Sequence, residues 1–559
     1  MENLKKEKLK IGILTDSFIV PAWCYSVIEK LSESSYAEVA LVVKKKIPPA
    51  KKESLLKKVR KNYRHLAYIC VRKLENKIFR PTPFAFTKKD LTKLITNVPV
   101  LEVIAIEKKF SDTIQLTDIE HISQYNIDVF IRFGFRILKG DILRSAKYGV
   151  WSYHNGDNLV NRGGPAGVWE SIEQWKETGC ILQVLTEDLD AGNVLYRSWS
   201  NKELISINRS INAMYWKATS FIPRKLKELY ELGDGAFNNA IAHHNQNISF
   251  YSNRLYTTPT NGEFISRIFK QYLKWVKLKC WYLFNFEQWI LLFYLAKDEK
   301  IAGSIFRYQR ITPPKDRFWA DPCLIYKDEK YYIFLEELIY KQNAGKAHIA
   351  VIEMDKKGNY KQPQIVLKRN HHLSYPFVFE YKGLFYMIPE TMEKSCIQLY
   401  KCNNFPNEWE FVMNLKEDIQ AVDTTIFEKD GKVWMFTNIK ENSGGSSYDE
   451  LFLFYADDLL TNQWKPHPGN PVVSDVKSAR PAGALFFYKE KLYRPSQDCS
   501  SRYGYATVVN EVIAMSTTEY IEKPVSRILP NWSKDVVGTH ALAHQHKLTV
   551  IDALVKRRK

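Results

Sequence analysis

Cysteine is sparse: eight in 559 residues, scattered, with no CxxC pair and with Cys396 and Cys402 as the closest two. Such spacing excludes a disulfide framework or a zinc site and is the pattern of reduced thiols. No stretch approaches the ~18 uninterrupted apolar residues of a membrane-spanning helix. The opening MENLKKEKLKIGILTDS puts charge where a secretory leader carries an apolar run, so a cytoplasmic location is expected. Glycine and proline number only 24 and 23, which rules out collagen and flexible low-complexity chains. Acidic residues are outnumbered, 62 against 81 basic ones, for a formal charge of +19. That field draws anions such as nucleic acid, a nucleotide, a phosphosugar or an anionic membrane.

What the chain does hold is an ordinary core-forming share of hydrophobic residues, 45%, with 14% aromatics, a density that favours β-structure and stacking surfaces. Three regions are expected. Residues 1–205 alternate strands and helices. Lys10 to Leu14, Glu38 to Val43 and Ile127 to Phe133 read as strands, and Ala22 to Leu31 has helical spacing. Thr117 and Glu120 form a capping-box start to a helix reaching Tyr125. The alternation predicts a mostly parallel sheet covered on both faces, and the absence of GxGxxG after the first strand excludes a dinucleotide fingerprint.

Residues 206–288 read as a helical linker. In Phe264 to Trp281, which has no acidic residue, Ile265, Ile268, Phe269, Tyr272 and Val276 share one helical face and Arg267, Lys270, Lys274 and Lys277 another. Two readings stay open: a connecting helix packed on a neighbouring domain, or a helix lying on the inner face of an anionic membrane.

Residues 289–559 repeat. An apolar strand, a charged turn and an aromatic strand begin in turn at Asp321, Tyr375, Asp423, Arg480 and His540, with spacings of 54, 48, 57 and 60 residues. Propeller blades occupy about this much chain, ~40–50 residues each, so five copies predict a five-bladed β-propeller.

The stretch from Tyr148 to Arg197 carries His154, Arg162-Gly163, Pro165, Thr178-Gly179 and Leu189-Asp190-Ala191-Gly192. It resembles the formyltransferase family over roughly residues 8 to 200. The resemblance implies a Rossmann-like α/β domain with His154 handling the amine proton and Asp190 orienting it. Ser152 stands where the family has asparagine as oxyanion donor. Phe133, Gly134, Ile181, Leu185 and Leu189 would wall 10-formyltetrahydrofolate, the implied cosubstrate, with Asn155 and Arg162 toward the acceptor. No metal is implied.

In the repeats, Trp319-Ala320-Asp321-Pro322, Ser374-Tyr375-Pro376, Ile388-Pro389-Glu390-Thr391 and Gln497-Asp498 resemble five-bladed propeller glycosidases. They look closer to the N-terminal propeller of glucosamine inositolphosphorylceramide transferases. Sugar binding through Asp321, Glu390, Asp423, Arg480 and His540 follows from that resemblance, although Tyr375 stands where the glycosidases carry aspartate. The leading expectation is formyl transfer to a nucleotide-linked or lipid-linked amino sugar in glycan biosynthesis, with nucleic acid not a partner. The rival is a glycan-processing or glycosyl-transferring enzyme that works in the propeller channel, its first domain degenerate.

Overall fold

The structure, a computed structural model, describes residues 6–47, 54–248 and 250–559. Two compact units divide at residues 275 and 276, with the short loop Asn442–Gly445 grouped with the first.

In the first unit seven strands form one sheet: β1 (Leu9–Thr15), β2 (Ala37–Lys45), β3 (Val100–Val103), β4 (Val129–Arg132), β5 (Val150–His154), β6 (Thr178–Val184) and β7 (Asn193–Ser200), in the order β7-β6-β5-β4-β1-β2-β3. β1 to β5 run parallel, and β6 is antiparallel to both its neighbours. The near-continuous apolar runs of these strands are what two covered faces demand. On one face Ile11, Ile13, Val129, Ile131 and Trp151 pack against helix α1 (Ala22–Ser32). On the other, Leu14, Leu41, Val43 and Phe130 meet helix α2 (Leu116–Ser123). Gly12 is required in β1, because a Cβ there would lie 2.1 Å from the Phe130 ring. The expected capping box does not form: α2 starts two residues earlier, with Gln115 at the N-cap and no side-chain cap.

The expected linker is not one. Helices α3 (Ile207–Ala218) and α4 (Phe221–Leu232) bury Met214, Ala218, Phe221, Ile222 and Leu226 in the first unit's own core. Helix α5 (Asn261–Phe284) packs Phe264 and Ile268 beside Trp169, Ile207 and Ile211. A polar face alone does not make a linker when the apolar face has a core to enter.

The second unit is a ring of five antiparallel sheets. Blades 1 to 3 begin with the hairpins Arg317–Lys327/Lys330–Ile339, Ser374–Tyr381/Leu384–Glu390 and Ala421–Lys429/Lys432–Ile439. Blade 4 begins with Phe486–Tyr488/Lys491–Asp498. Their two-residue tips, Asp328-Glu329, Lys382-Gly383, Asp430-Gly431 and Lys489-Glu490, all have positive φ, the backbone that matches hairpin twist. Blade 5 joins the two ends of the unit: Leu548–Arg558 pairs with Leu542–Gln545 on one side and with Asn285–Leu295 on the other.

Five apolar clusters lie between successive blades and close the ring. Examples are Leu291, Phe293, Trp319 and Ile333 between blades 5 and 1, and Ile325, Phe334, Met387 and Trp409 between 1 and 2. Tyr386, Ile388, Ile426 and Met435 fill the gap between 2 and 3, Trp434, Phe436, Leu485 and Leu492 that between 3 and 4, and Val509, Ile528, Ile290 and Ile551 that between 4 and 5. These wide inter-sheet gaps are where much of the aromatic content goes.

Candidate functional site

The first unit brings the motif residues together but closes them. His154, at the end of β5, lies with Nδ1 3.3 Å from Asp190 Oδ1 and Nε2 2.8 Å from the carbonyl oxygen of Asn161. Both ring nitrogens therefore face acceptors within the protein. Burial works to lower the His154 pKa, but the bond to Asp190 and its charge outweigh it and raise the pKa. Burial opposes ionisation of Asp190, yet His154, the Gly163 amide and Arg132 hold its carboxyl below the usual range. Ser152 is buried; its hydroxyl accepts from Arg132 Nε at 3.0 Å and donates to the Tyr153 carbonyl. It is not an available oxyanion donor. Asn155 Oδ1 accepts from Cys180 Sγ, and Arg162 donates to the Asn158 carbonyl and lies over the Tyr251 ring.

The expected folate wall does not assemble. Phe133 joins the core on one face of the sheet, 5.5 Å from Trp23, and Leu185 joins the core on the other. Ile181 is fully buried, opposite His154 in the ladder, Leu189 is exposed, and Gly134 sits against the backbone of Thr15 and Asp16. A cavity of about 150 Å³ in this unit is lined by Asp157, Glu170, Trp175 and Trp199 among others, not by His154. Sequence reasoning missed Arg132, whose guanidinium donates to Ser152 and to the carbonyl oxygens of Phe135 and Arg136; nothing in the spacing of β4 marks it.

The propeller axis is different. In blades 1, 2 and 3 the inner strand carries a bulge at the residue that starts the repeat, and Asp321 (φ 51°), Tyr375 (φ 40°) and Asp423 (φ 52°) all take the left-handed conformation there. Aspartate tolerates that region; for tyrosine it is a strained outlier, and strain of ~1–3 kcal/mol persists where surrounding structure enforces it. The bulges set the repeat residues among the polar side chains of the other blades.

Two buried networks result. Arg480 donates from Nε and Nη2 to the two oxygens of Asp423, at 2.5 and 3.1 Å, and reaches Glu390 Oε2 at 3.4 Å. Gln497 Nε2 donates to the same Asp423 at 2.7 Å, and the guanidinium lies over the Tyr503 and Tyr448 rings. In the second network His540 has Nδ1 2.5 Å from Asp552 Oδ2 and Nε2 3.5 Å from Asp321 Oδ1. Its ring stacks on Trp289 at 4.1 Å. His540 Nδ1 is close enough for an ion pair but has no aligned hydrogen bond, and one donor atom each from Asp321, His540 and Asp552 lie within 4.8 Å of one another. A divalent cation would accept that donor set. His372 and Glu336 lie 3.3 Å apart.

The electrostatics follow from taking these charges out of water. Burial and the neighbouring Asp423 charge push Glu390 up to about 8, so it holds a proton at neutral pH. Burial, with the nearby Glu336, Asp423 and Asp552, raises Asp321 well above an ordinary carboxylate despite His540. Burial would depress His540, but Asp552 and Asp321 lift it to about 9. Beside these groups a cleft of about 400 Å³ is lined by Trp289, Phe318, Tyr340, Arg502 and Tyr503. Trp289 and Tyr503 also touch the His540 ring. Asp552, Trp289 and Tyr503 carry no repeat signature and went unread in the sequence.

Residues 309–554 match the family model described as glucosamine inositolphosphorylceramide transferase 1, N-terminal. The chain is similar to glucosamine inositolphosphorylceramide transferase 1 of Oryza sativa subsp. japonica, 33% identical over 231 residues, and to that of Arabidopsis thaliana, 34% over 214. These matches cover 41% and 37% of this chain but 31% and 27% of the relatives, so the chain spans under a third of their length. Among solved structures, a family 117 glycoside hydrolase from Zobellia galactanivorans is similar at 12% identity and a TM-score of 0.32, over 48% of this chain and 90% of that one. Glycinamide ribonucleotide transformylase 1 from Symbiobacterium toebii gives 13% and 0.26, over 40% and 89%. Likenesses this weak carry no argument; the fold stands on its own strand pairing.

The expectation of a formyltransferase, and of formyl transfer to an amino sugar, is corrected. The curated relatives are by name glucosamine inositolphosphorylceramide transferases, enzymes of glycosyl transfer. The physical reason for the misreading is visible in the first unit: the right residues stand at the right interval, with no ring nitrogen of His154 left for a substrate.

Proposed function

We propose that the protein works on a glycan through the propeller axis, in glycosyl transfer or glycan processing with a lipid-linked, inositol-phosphate type of substrate. One observation carries this reading: the repeat-start residues of different blades converge on a buried, charged channel floor beside an aromatic cleft. Aromatic faces stack on sugar rings, and a pair of carboxyl groups, one giving and one taking a proton, is what cleavage or formation of a glycosidic bond requires. Glu390, protonated at neutral pH, delivers its proton to the leaving oxygen as the C1–O bond breaks. Asp321, raised by burial as Glu390 is, takes the proton of the attacking hydroxyl when it is ionised, as the new bond forms. Arg480 and Gln497 fix Asp423 against Glu390. The names of the relatives matched by residues 309–554 support a hexosamine donor and an inositol phosphate lipid acceptor.

The test is incubation with nucleotide-linked hexosamines and inositol phosphate lipids, with mass spectrometry of products and calorimetry of sugar binding. Product or saturable binding that is lost in Asp321→Asn and Glu390→Gln, and kept in His154→Ala, is expected. Turnover or binding indifferent to both channel substitutions overturns the reading.

A further inference from the structure

Helix α5 divides its apolar residues between two faces. Phe264 and Ile268 enter the core, and Gln271, also buried, anchors the helix by donating to the Leu204 carbonyl. Ile265, Phe269, Leu273 and Val276 recur at i, i+4, i+8 and i+11 as a separate stripe, and all are exposed, Phe269 by 64%. The expected single apolar face of Ile265, Ile268, Phe269, Tyr272 and Val276 is thus divided: Ile268 and Tyr272 pack on the core, while Ile265, Phe269 and Val276 are exposed. Lys270, Lys274 and Lys277 follow the stripe along its outer side, and no acidic residue occurs from Phe264 to Phe284.

A second basic segment packs beside it. Helices Leu55–Asn62 and Leu66–Ile78 are tied to the start of α5: Asn261 donates to the Tyr63 carbonyl and accepts from the Ala67 amide, and Tyr68 meets Phe264 edge-on at 5.5 Å. This segment exposes Leu56 (84%), Leu74 and Ile78 (60%). From Ser54 to Arg80 it has nine basic residues and one acid, Glu75, which is buried against Arg72. Burial and the adjacent Lys274 charge pull Lys202 down to about 8, as expected where positive charge crowds without counter-charge.

Exposed aliphatic residues set among unopposed lysines fit one partner best. We propose that this helical face of the first unit docks on an anionic lipid surface, with Ile265, Phe269 and Leu273 entering the boundary between headgroups and acyl chains while Lys270 and Lys274 meet lipid phosphates. A second copy of the chain would present the same sign of charge and be repelled. Nucleic acid would match the lysines but not the stripe, since aliphatic side chains give bases no stacking platform. Among the described residues no helix is long and apolar enough to cross a membrane, so the contact is peripheral. The inference stands apart from the channel chemistry: its variants leave the propeller axis untouched.

Flotation of the full chain with phosphatidylcholine vesicles, with and without phosphatidylserine, tests it. Binding to the anionic vesicles only, weakened by salt, is expected, with at least a ten-fold loss in Phe269→Ser/Leu273→Ser and separately in Lys270→Glu/Lys274→Glu. Unchanged circular dichroism and thermal midpoint would show that these surface variants are folded. Absence of binding at low salt, equal binding to neutral vesicles, or full binding by both variants overturns the proposal. So does nucleic acid binding that needs the lysines but not Phe269 and Leu273.

Discussion

Each unit of this protein holds a buried histidine against carboxylates, and the two have opposite surroundings. His154 has Asp190 on one ring nitrogen and a main-chain carbonyl on the other, and it does not line the cavity of about 150 Å³ in its unit. His540 sits between Asp552 and Asp321, its ring faced by Trp289 and Tyr503, which also line a cleft of about 400 Å³. Motif spacing therefore identifies residues that meet; whether they meet each other or a ligand depends on which atoms remain unsatisfied and on whether space adjoins them.

Removing one member of the buried pair should give the sharpest contrast. Asp423→Ala leaves Arg480 buried without its main partner and should cost ~3–5 kcal/mol in urea unfolding. Asp190→Ala, nearer the surface of its unit, should cost about half that or less. Equal costs would erase the distinction between an enclosed charge network and a local orienting contact.

In turnover or sugar-binding assays, Glu390→Gln should lower turnover by ~10²-fold or more, the usual worth of a positioned general acid. His154→Ala should stay within about two-fold of the parent. A reversed ranking would make the first unit the reactive one.

Gly12→Ala probes the first unit's packing rather than any site. Its Cβ would meet the Phe130 ring, and overpacking of this kind costs ~1–3 kcal/mol. A stability loss with channel activity intact is expected, measured by thermal melting beside the activity assay.

The last contrast is in pH. His540 is raised to about 9 in the folded protein against ~6.5 unfolded. A raised histidine pKa contributes stability that is full below the unfolded value and is lost as pH climbs through the folded one. The thermal midpoint should fall by a few degrees between pH 6.5 and 9 in the parent, and less in His540→Gln. An identical fall in both would assign the change to other groups.

The repeat was legible because its signals are local. Charged two-residue tips such as Asp430-Gly431 favour the positive φ of a hairpin turn, and aromatic and β-branched residues follow at strand spacing. The α/β alternation of the first unit was legible for the same reason, from buried strands such as β1 and β4. The capping box at Thr117 misled, because three-residue spacing recurs inside a helix as readily as at its start. The amphipathic period of α5 was also plain, but Ile265 and Ile268 lie on adjoining faces, and only the packed neighbours show which one is buried.

By itself the sequence determined the strand and helix periods, the five repeats and the residues that begin them, since these depend on neighbours within a turn or a hairpin. Only the tertiary structure decided that Asn285–Leu295 closes the ring against Leu548–Arg558, more than 250 residues away. It also decided that the His154 ring is sealed while Asp321, Glu390, Asp423, Arg480 and His540 converge beside a cleft. Satisfaction of a polar atom and the space beside it are properties of groups brought together by packing, and no local pattern of residues encodes them.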